Sequence, residues 1–466
     1  VINMGTMAVD GSFTLAPNST GAVTIVNDAG LNLAASIVGG ALSATATTGN
    51  ITNSGALAIT GTTTLVTSAD NATITLDDTS NAFTGKGALT TNDDSGTDAE
   101  VTIDGGTTAL IIDTSTIDGD LTLKSDNSTG ITDDGTVTVG GNLSATTEGG
   151  NGVITLNQMA VDGTVALNTN GNGAATIVND AGLIFATSTV GGALSATATT
   201  GNITDDTGGE LDITGAATVI TAATGSNIVL DSSGNAFSNS VEMRADGGGE
   251  AFGNITFVDS AAVDFATSAG SNGDLFINGS TDGAVGGNLN ITATTGNITD
   301  TVALAVSGTT TLVTSADDAT ITLDNTSNAF TGAITITTND SSGTDADLTI
   351  DGGKTALIIA ASTIDGDLTL TSGNSSGITD SGTVTVGGNL SATTDANNGV
   401  INLGTMAIDG TVALTTNGNG AATIVNDAGL SFAASTVGGT FSGTATTGNI
   451  TDSGALAITG TTTLET

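Results

Sequence analysis

The sequence predicts an all-β fold, a single-stranded parallel β-helix (β-solenoid) of about 24 coils that average 19 residues each. Three observations lead to this fold class. Long segments recur at spacings that are multiples of about 19 residues. Apolar and polar residues alternate in short runs, and the composition offers mainly small apolar side chains for a core. Together they describe a thin core that is repeated many times.

The internal repeats are the first of these observations. VINMGTMAVDG at Val1 returns as VITLNQMAVDG at Val153 and as VINLGTMAIDG at Val400, and a block that starts at Gly61 returns from Gly308. The spacings of 152 and 247 equal 8 × 19 and 13 × 19. If about 19 residues make one turn, such duplications keep every side chain in register. With strands about 4.8 Å apart, the stacked coils would form a rod about 118 Å long.

Short strands separated by turn residues fill each 19-residue unit. VTIVNDAGLNLAAS, ATITLDDTSNAF and GTVTVGGNLSATT place apolar residues at every second position and are interrupted by Asn, Asp or Gly. Val, Ile and Thr favour strands, whereas Asn-Gly, Asp-Gly and Gly-Gly pairs favour tight corners. The few phenylalanines recur with the repeat, as Phe83 and Phe330 do, and are therefore predicted to pack in the core.

The composition excludes several classes of function. The chain has no His, Cys, Trp or Tyr, and 47 acidic residues stand against four basic ones, for a net charge of −43. Without imidazole or thiol groups we expect no enzyme, no disulfide framework and no Cys/His zinc site. The negative charge argues against nucleic acid as a partner. No apolar run reaches the length of a membrane span, so we expect no membrane insertion.

The order of the repeats defines the expected organisation. We expect one continuous solenoid over 1–466, with repeat blocks at 1–152, 153–205, 286–399 and 400–466 and a diverged stretch at 206–285. Residue 1 is not Met and opens no signal peptide, which indicates an internal piece of a longer chain. Because open solenoid ends attract further strands, the predicted partners include end-to-end or lateral copies of the same chain.

Several strings of the sequence resemble a known family. GNLSATT, GALAITGTTTL and ATITLDDTSNAFTG, with the 19-residue average, are similar to the repeat regions of filamentous haemagglutinin-like bacterial exoproteins, which are surface adhesins. The resemblance implies a right-handed β-helix that is secreted or displayed on the bacterial cell surface. It also implies a host, cell-surface or polysaccharide ligand as partner.

The acidic residues are the remaining candidates for a site. Most are Asp, which is typical of solvated turns. Carboxylates stacked about 4.8 Å apart repel one another, and calcium, which prefers oxygen ligands, would relieve this repulsion. The densest cluster, TNDDSGTDAE with its repeat, predicts a calcium site at Asp93, Asp94, Asp98, Asp340 and Asp345. Glycoside hydrolysis by paired carboxylates is not expected, because such sites need aromatic or cationic groups to hold the sugar and the chain lacks Trp, Tyr and His. No other cofactor is expected.

Two functions from different classes remain. The first is a rigid, adhesin-like extracellular rod for attachment to cells or surfaces, and the second is a self-assembling structural subunit of an extracellular filament, sheath or surface layer. Thr-x-Thr strings such as TVTV and TITT add ice binding as a minor alternative. The Thr positions do not keep one phase in every unit, which argues against that alternative. We favour the adhesin-like protein.

Overall fold

A computed structural model describes residues 1–17, 19–92, 99–245, 253–265, 274–277, 284–339 and 346–466. Throughout these residues the fold is all-β, without helix, and parallel strands stack into a β-solenoid. The predicted fold class is therefore confirmed. The solenoid has about 19 turns across the described residues, which is roughly the predicted number. No helix capable of crossing a lipid bilayer occurs in the described ranges. Contacts divide the chain into two compact units, unit 1 (Val1–Ala223) and unit 2 (Thr224–Thr466).

Unit 1 contains two long parallel sheets and a short one. The strands of the first sheet are Ile2–Met7, Val23–Asn27, Leu42–Ala46, Thr63–Thr67, Gly87–Thr90, Leu110–Ile112, Ser115–Ile117, Ile131–Asp133, Val137–Val139, Ile154–Val161, Ala175–Asn179, Leu194–Ala198 and Ala217–Thr221. The strands of the second are Ser12–Phe13, Leu31–Leu33, Ile51–Asn53, Ile74–Leu76, Val101–Asp104, Leu121–Ser125, Leu143–Thr147, Thr164–Asn168, Leu183–Phe185, Ser188–Val190, Ile203–Asp205 and Leu211–Ile213. The short sheet consists of Ser36–Val38, Leu57–Ile59 and Ala82–Phe83.

Unit 2 is built in the same way. The strands of its first sheet are Ile228–Leu230, Ala236–Phe237, Ile255–Asp259, Leu289–Ala293, Thr310–Thr314, Ile334–Thr337, Leu357–Ile359, Ser362–Ile364, Ile378–Asp380, Val384–Val386, Ile401–Ile408, Ala422–Asn426, Phe441–Ala445 and Thr462–Glu465. Those of the second are Val241–Arg244, Val263–Phe265, Asp274–Ile277, Ile298–Asp300, Ile321–Leu323, Leu348–Asp351, Leu368–Ser372, Leu390–Thr394, Thr411–Thr415, Leu430–Phe432, Ser435–Val437, Ile450–Asp452 and Leu456–Ile458. The short sheet consists of Ala284–Val285, Ala305–Val306 and Ala329–Phe330.

The number of residues in one turn of the solenoid differs from turn to turn. Val23 pairs with Leu42 of the next coil, whereas Ile74 pairs with Val101, so the second of these turns contains clearly more of the chain. The strands stay in register because the corner loops absorb the extra residues. Many turns are therefore longer than the 19-residue unit that the duplications suggested.

The core is a column of aliphatic side chains. Leu121, Leu143 and Val165 pair across successive coils, and each is at most 1% exposed. The residues between them in sequence point to solvent, as period-two alternation requires. Phe83 and Phe330 are 4% and 1% exposed, so their predicted place in the core is confirmed.

Candidate functional site

The predicted calcium site falls in segments outside the described part of the chain. Asp93, Asp94, Asp98, Asp340 and Asp345 all lie outside the described residues. In the part of the chain that the structure describes, no group of three or more acidic residues could hold a metal ion. The calcium site stays a prediction.

Columns of hydroxyl groups cover the outer face of the second sheet in unit 2. Thr322, Thr349 and Thr369 pair in register across three coils, and each side chain is partly exposed. A parallel column further along the same strands contains Thr371 and Thr393. The first column continues with Ser391 and then with Ala413, so the row of hydroxyl groups covers part of this face.

Aspartate and asparagine form a ladder at one corner of each unit. In unit 1 the backbone N–H of Asn142 donates to Asp120 Oδ1 (2.7 Å), and the N–H of Thr164 donates to Asn142 Oδ1 (2.9 Å). In unit 2 the N–H of Asp367 donates to Asp347 Oδ1 (2.7 Å). Each acidic or amide side chain therefore holds the backbone of the next coil. These corner residues stabilise the stack as well as being solvated.

The few basic residues neutralise carboxylates on the surface. In the described part of the chain, ion pairs join Lys86 to Asp134, Lys124 to Glu148 (3.3 Å between Nζ and Oε1) and Arg244 to Glu242. All three cations are about two-fifths exposed. Exposed pairs of this kind contribute little to stability.

A buried asparagine holds two backbone segments together at the end of a strand. The Oδ1 atom of Asn179 accepts the N–H of Val161 (2.8 Å), and its Nδ2 donates to the carbonyl oxygens of Val161 (3.0 Å) and Gly182 (2.6 Å). Asn27 and Asn426 make the equivalent three bonds. We call this arrangement the asparagine clamp. All three residues are at most 1% exposed.

Three aspartates occupy comparable strand ends. Asp259 is 2% exposed, and its Oδ1 accepts the N–H groups of Phe237 (3.2 Å) and Ala261 (3.3 Å). Loss of hydration raises the pKa of Asp259 to about 6, although the backbone N–H donors partly offset this effect. Burial also raises the pKa of Asp104 and of Asp351, each of which accepts the N–H of the second glycine that follows it.

A small interior cavity lies beside Gly87 in unit 1. Its volume is about 20 Å³, and its lining is apolar except for Thr63, whose buried hydroxyl oxygen has no hydrogen-bond partner among the described residues. Gly87 pairs with Thr63, and in the duplicated block of unit 2 Ile334 pairs with Thr310 in the same way. A Cβ atom on Gly87 would have no neighbour closer than 3.9 Å. The cavity therefore corresponds to the space that Ile334 fills in unit 2.

Each unit also carries an open groove at a solenoid corner, which we call the corner groove. In unit 1 it encloses about 290 Å³, and its lining includes Asp10, Gly30, Asn32, Asn50 and Thr52. In unit 2 it encloses about 360 Å³, and the equivalent lining residues are Asp409, Gly429, Ser431, Asn449 and Thr451. Glycine is required in the floor, because a Cβ on Gly30 would lie 2.9 Å from the carbonyl oxygen of Asn50.

The strand ends and corners recur with a period that a protein-family model also detects. The model, described as repeats of unknown function (DUF5649), matches residues 20–90, 98–170, 171–244, 252–337, 345–415 and 419–466. The chain belongs to this family. No curated protein and no solved structure matches the chain. The tandem repeats are thus established, while the resemblance to filamentous haemagglutinin-like adhesins stays a prediction.

The six DUF5649 repeats share one polar position. The first strand of each repeat ends on a polar residue, and these residues are Asn27, Asp104, Asn179, Asp259, Asp351 and Asn426. The clamp of Asn179 reaches Val161 in the preceding repeat, and the clamp of Asn426 reaches Ile408 in the same way. The side chains of Asn179, Asp259 and Asn426 therefore join neighbouring repeats, whereas Asp104 and Asp351 each accept an N–H group of their own repeat.

The sequence contained signals for two of these features. Asn27 and Asn179 stand at the same point of the repeated VTIVND and ATIVND strings, but an isolated sequence gives no reason to bury a turn residue. The replacement of Gly87 by Ile334 within a duplicated block was visible as well. The corner grooves had no such signal, since their residues come from three successive coils.

Proposed function

We propose that this chain is a non-enzymatic, extracellular fibrous protein of a bacterial surface that serves attachment to cells or other surfaces. The fold itself, a tandem-repeat β-solenoid, is compatible with a structural fibrous protein. The observation that carries the attachment role is the outer face, on which Thr322, Thr349 and Thr369 form a column of partly exposed hydroxyl groups. This column presents equivalent hydroxyl groups on three successive coils.

The chemistry of the side chains supports the same proposal. The chain has no His and no Cys, which most enzymes use as base or nucleophile. A net charge of −43 keeps a protein soluble and limits unspecific contact with other acidic molecules. These properties suit a protein that acts by contact outside the cell.

An adhesion assay with the whole chain tests the proposal. Beads that carry the full-length chain are incubated with epithelial cells, bacterial cells and polysaccharide films, and the retained beads are counted under flow. Beads that carry an unrelated protein of similar negative charge are the control. We expect retention several times above the control on at least one surface. Retention equal to the control on every surface would contradict the attachment role.

Self-assembly into an extracellular filament, sheath or surface layer is a second candidate function, since the tandem-repeat β-solenoid is compatible with a structural fibrous protein.

Sedimentation velocity decides between one copy and many. Self-assembly predicts species larger than one chain, whose share grows with protein concentration. A parent chain that sediments as a monomer at all concentrations would exclude this second function.

A further inference from the structure

We propose that each corner groove binds one residue of a neutral saccharide. This inference rests on the proposed attachment function, for which it supplies the chemical class of the ligand. It begins from the fact that the same groove occurs in both units, at equivalent positions of the repeated sequence.

The rim of the groove is rich in hydrogen-bonding groups that the protein does not use. Among the described residues, no hydrogen bond is made by the side chains of Asp409, Ser431 and Thr451 in unit 2. The side chains of Asp10, Asn32 and Thr52 in unit 1 are equally without partners among these residues. A carboxylate, an amide and a hydroxyl group thus surround one groove and are free for a ligand.

The polar residues of the rim are the same in both grooves except at one position. Asp10, Asn50 and Thr52 correspond to Asp409, Asn449 and Thr451, and the one rim difference, Asn32 against Ser431, replaces one polar group by another. The glycine floor is also kept, because Gly30 and Gly429 occupy the same place. Both grooves therefore offer a carboxylate and a hydroxyl group, whereas the Oδ1 of Asn50 already accepts the N–H of Thr73 (2.9 Å).

This set of groups selects a particular ligand chemistry. A carboxylate accepts two hydroxyl donors, an amide both donates and accepts, and a hydroxyl does the same. A compact molecule with several neighbouring hydroxyl groups, such as a sugar ring, matches this pattern. Asp10 and Asp409 disfavour anionic sugars, as does the net charge of −43. The volumes of about 290 and 360 Å³ fit the lower end of small-molecule sites, which span about 300–1,000 Å³.

Affinity at one groove should be weak, since the rim contains no aromatic side chain to stack on a sugar face. The proposal therefore predicts weak binding of a single sugar at each groove.

Saturation-transfer NMR on the whole chain tests the proposal. The probes are neutral trisaccharides of glucose, galactose, mannose and N-acetylglucosamine, with a sulfated trisaccharide as the anionic comparison. The test variant combines Asp10→Ala with Asp409→Ala. The matched control combines Asp77→Ala with Asp212→Ala, which removes the same charge from exposed positions outside the grooves. A second test variant, Thr52→Arg with Thr451→Arg, narrows both grooves.

We expect a signal with at least one neutral trisaccharide and none with the sulfated one. Each test variant should weaken the binding about tenfold or more, as the loss of hydrogen bonds to a charged group does, while the control variant binds like the parent. No signal with any neutral trisaccharide would overturn the proposal, as would an equal loss in the control variant. Circular dichroism shows whether each variant is folded.

The adhesion assay separates this inference from the proposed function. Adhesion without saccharide binding would overturn the groove proposal and leave the attachment role standing. Saccharide binding that depends on the grooves, without adhesion to any surface, would support the groove proposal and contradict the attachment role.

Discussion

Replacement of Asp259 by asparagine should stabilise the protein at neutral pH. The carboxylate is 2% exposed and lies at the strand end where Asn27, Asn179 and Asn426 form clamps in other repeats. An amide keeps the Oδ1 acceptor for the N–H groups of Phe237 and Ala261 without carrying a charge that must lose its water. The substitution removes the buried charge and replaces one carboxylate oxygen by an amide NH₂ group, the same group that donates in the asparagine clamp.

The size of the effect follows from the pKa of the carboxyl group. Burial raises the pKa of Asp259 from 3.8 to about 6, so the folded state binds a proton more tightly than the unfolded state. Stability is then highest below about pH 4 and falls as the pH rises through about 6. At about 1.36 kcal/mol per pKa unit, the ionised carboxylate costs about 3 kcal/mol at neutral pH. Asp259→Asn should recover up to this amount.

Urea unfolding of the parent and of the Asp259→Asn variant measures the difference at about pH 3.5, 5 and 7.5. The two proteins should be nearly equal at the lowest pH, and the variant should be more stable by about 3 kcal/mol at the highest. Asp77→Asn, at an exposed position, is the matched control and should show no such trend. A difference between parent and variant that does not change with pH would refute the reasoning.

Three further predictions concern the cavity, the clamp and calcium. Gly87→Ile should raise the free energy of unfolding by up to about 3 kcal/mol, because it buries about four carbons, whereas Ile334→Gly should lower it by about 3–5 kcal/mol; a less stable Gly87→Ile protein would contradict the cavity. Asn179→Ala leaves buried backbone groups without partners and should cost about 2–4 kcal/mol in urea unfolding, while the exposed Asn32→Ala should change stability by less than about 0.5 kcal/mol. Calcium at about millimolar concentration should raise the melting temperature of the whole chain if the predicted acidic site binds it, and an unchanged melting temperature would end that prediction.

The fold was predictable because its causes are local and repeated. Period-two alternation and turn residues define each strand, and the duplications show that strands recur in register. The number of residues in a turn was less predictable, since the turn from Ile74 to Val101 is longer than the unit of duplication. Corner loops can lengthen without moving a strand, so sequence spacing alone does not define the coil boundary.

The candidate sites were harder to predict for a physical reason. Asp10, Asn32 and Asn50 meet at one groove only because three coils stack, and nothing in one coil indicates that meeting. Burial of Asp259 likewise depends on neighbours from other coils, among them Phe237. The general preference of Asp for solvated turns therefore predicts the exposure of most aspartates correctly. It does not predict the burial of aspartates at strand ends that face the core.

The asparagine clamp has a consequence for how the protein would respond to mechanical load. Asn179 and Asn426 each bond a backbone segment that belongs to the preceding repeat, and Asp259 accepts a bond across another such boundary. Separating two repeats would break these hydrogen bonds and expose the apolar core between the coils, at a cost that opposes separation. Under a pulling force, neighbouring repeats should therefore unfold together in groups. They should not unfold one repeat at a time.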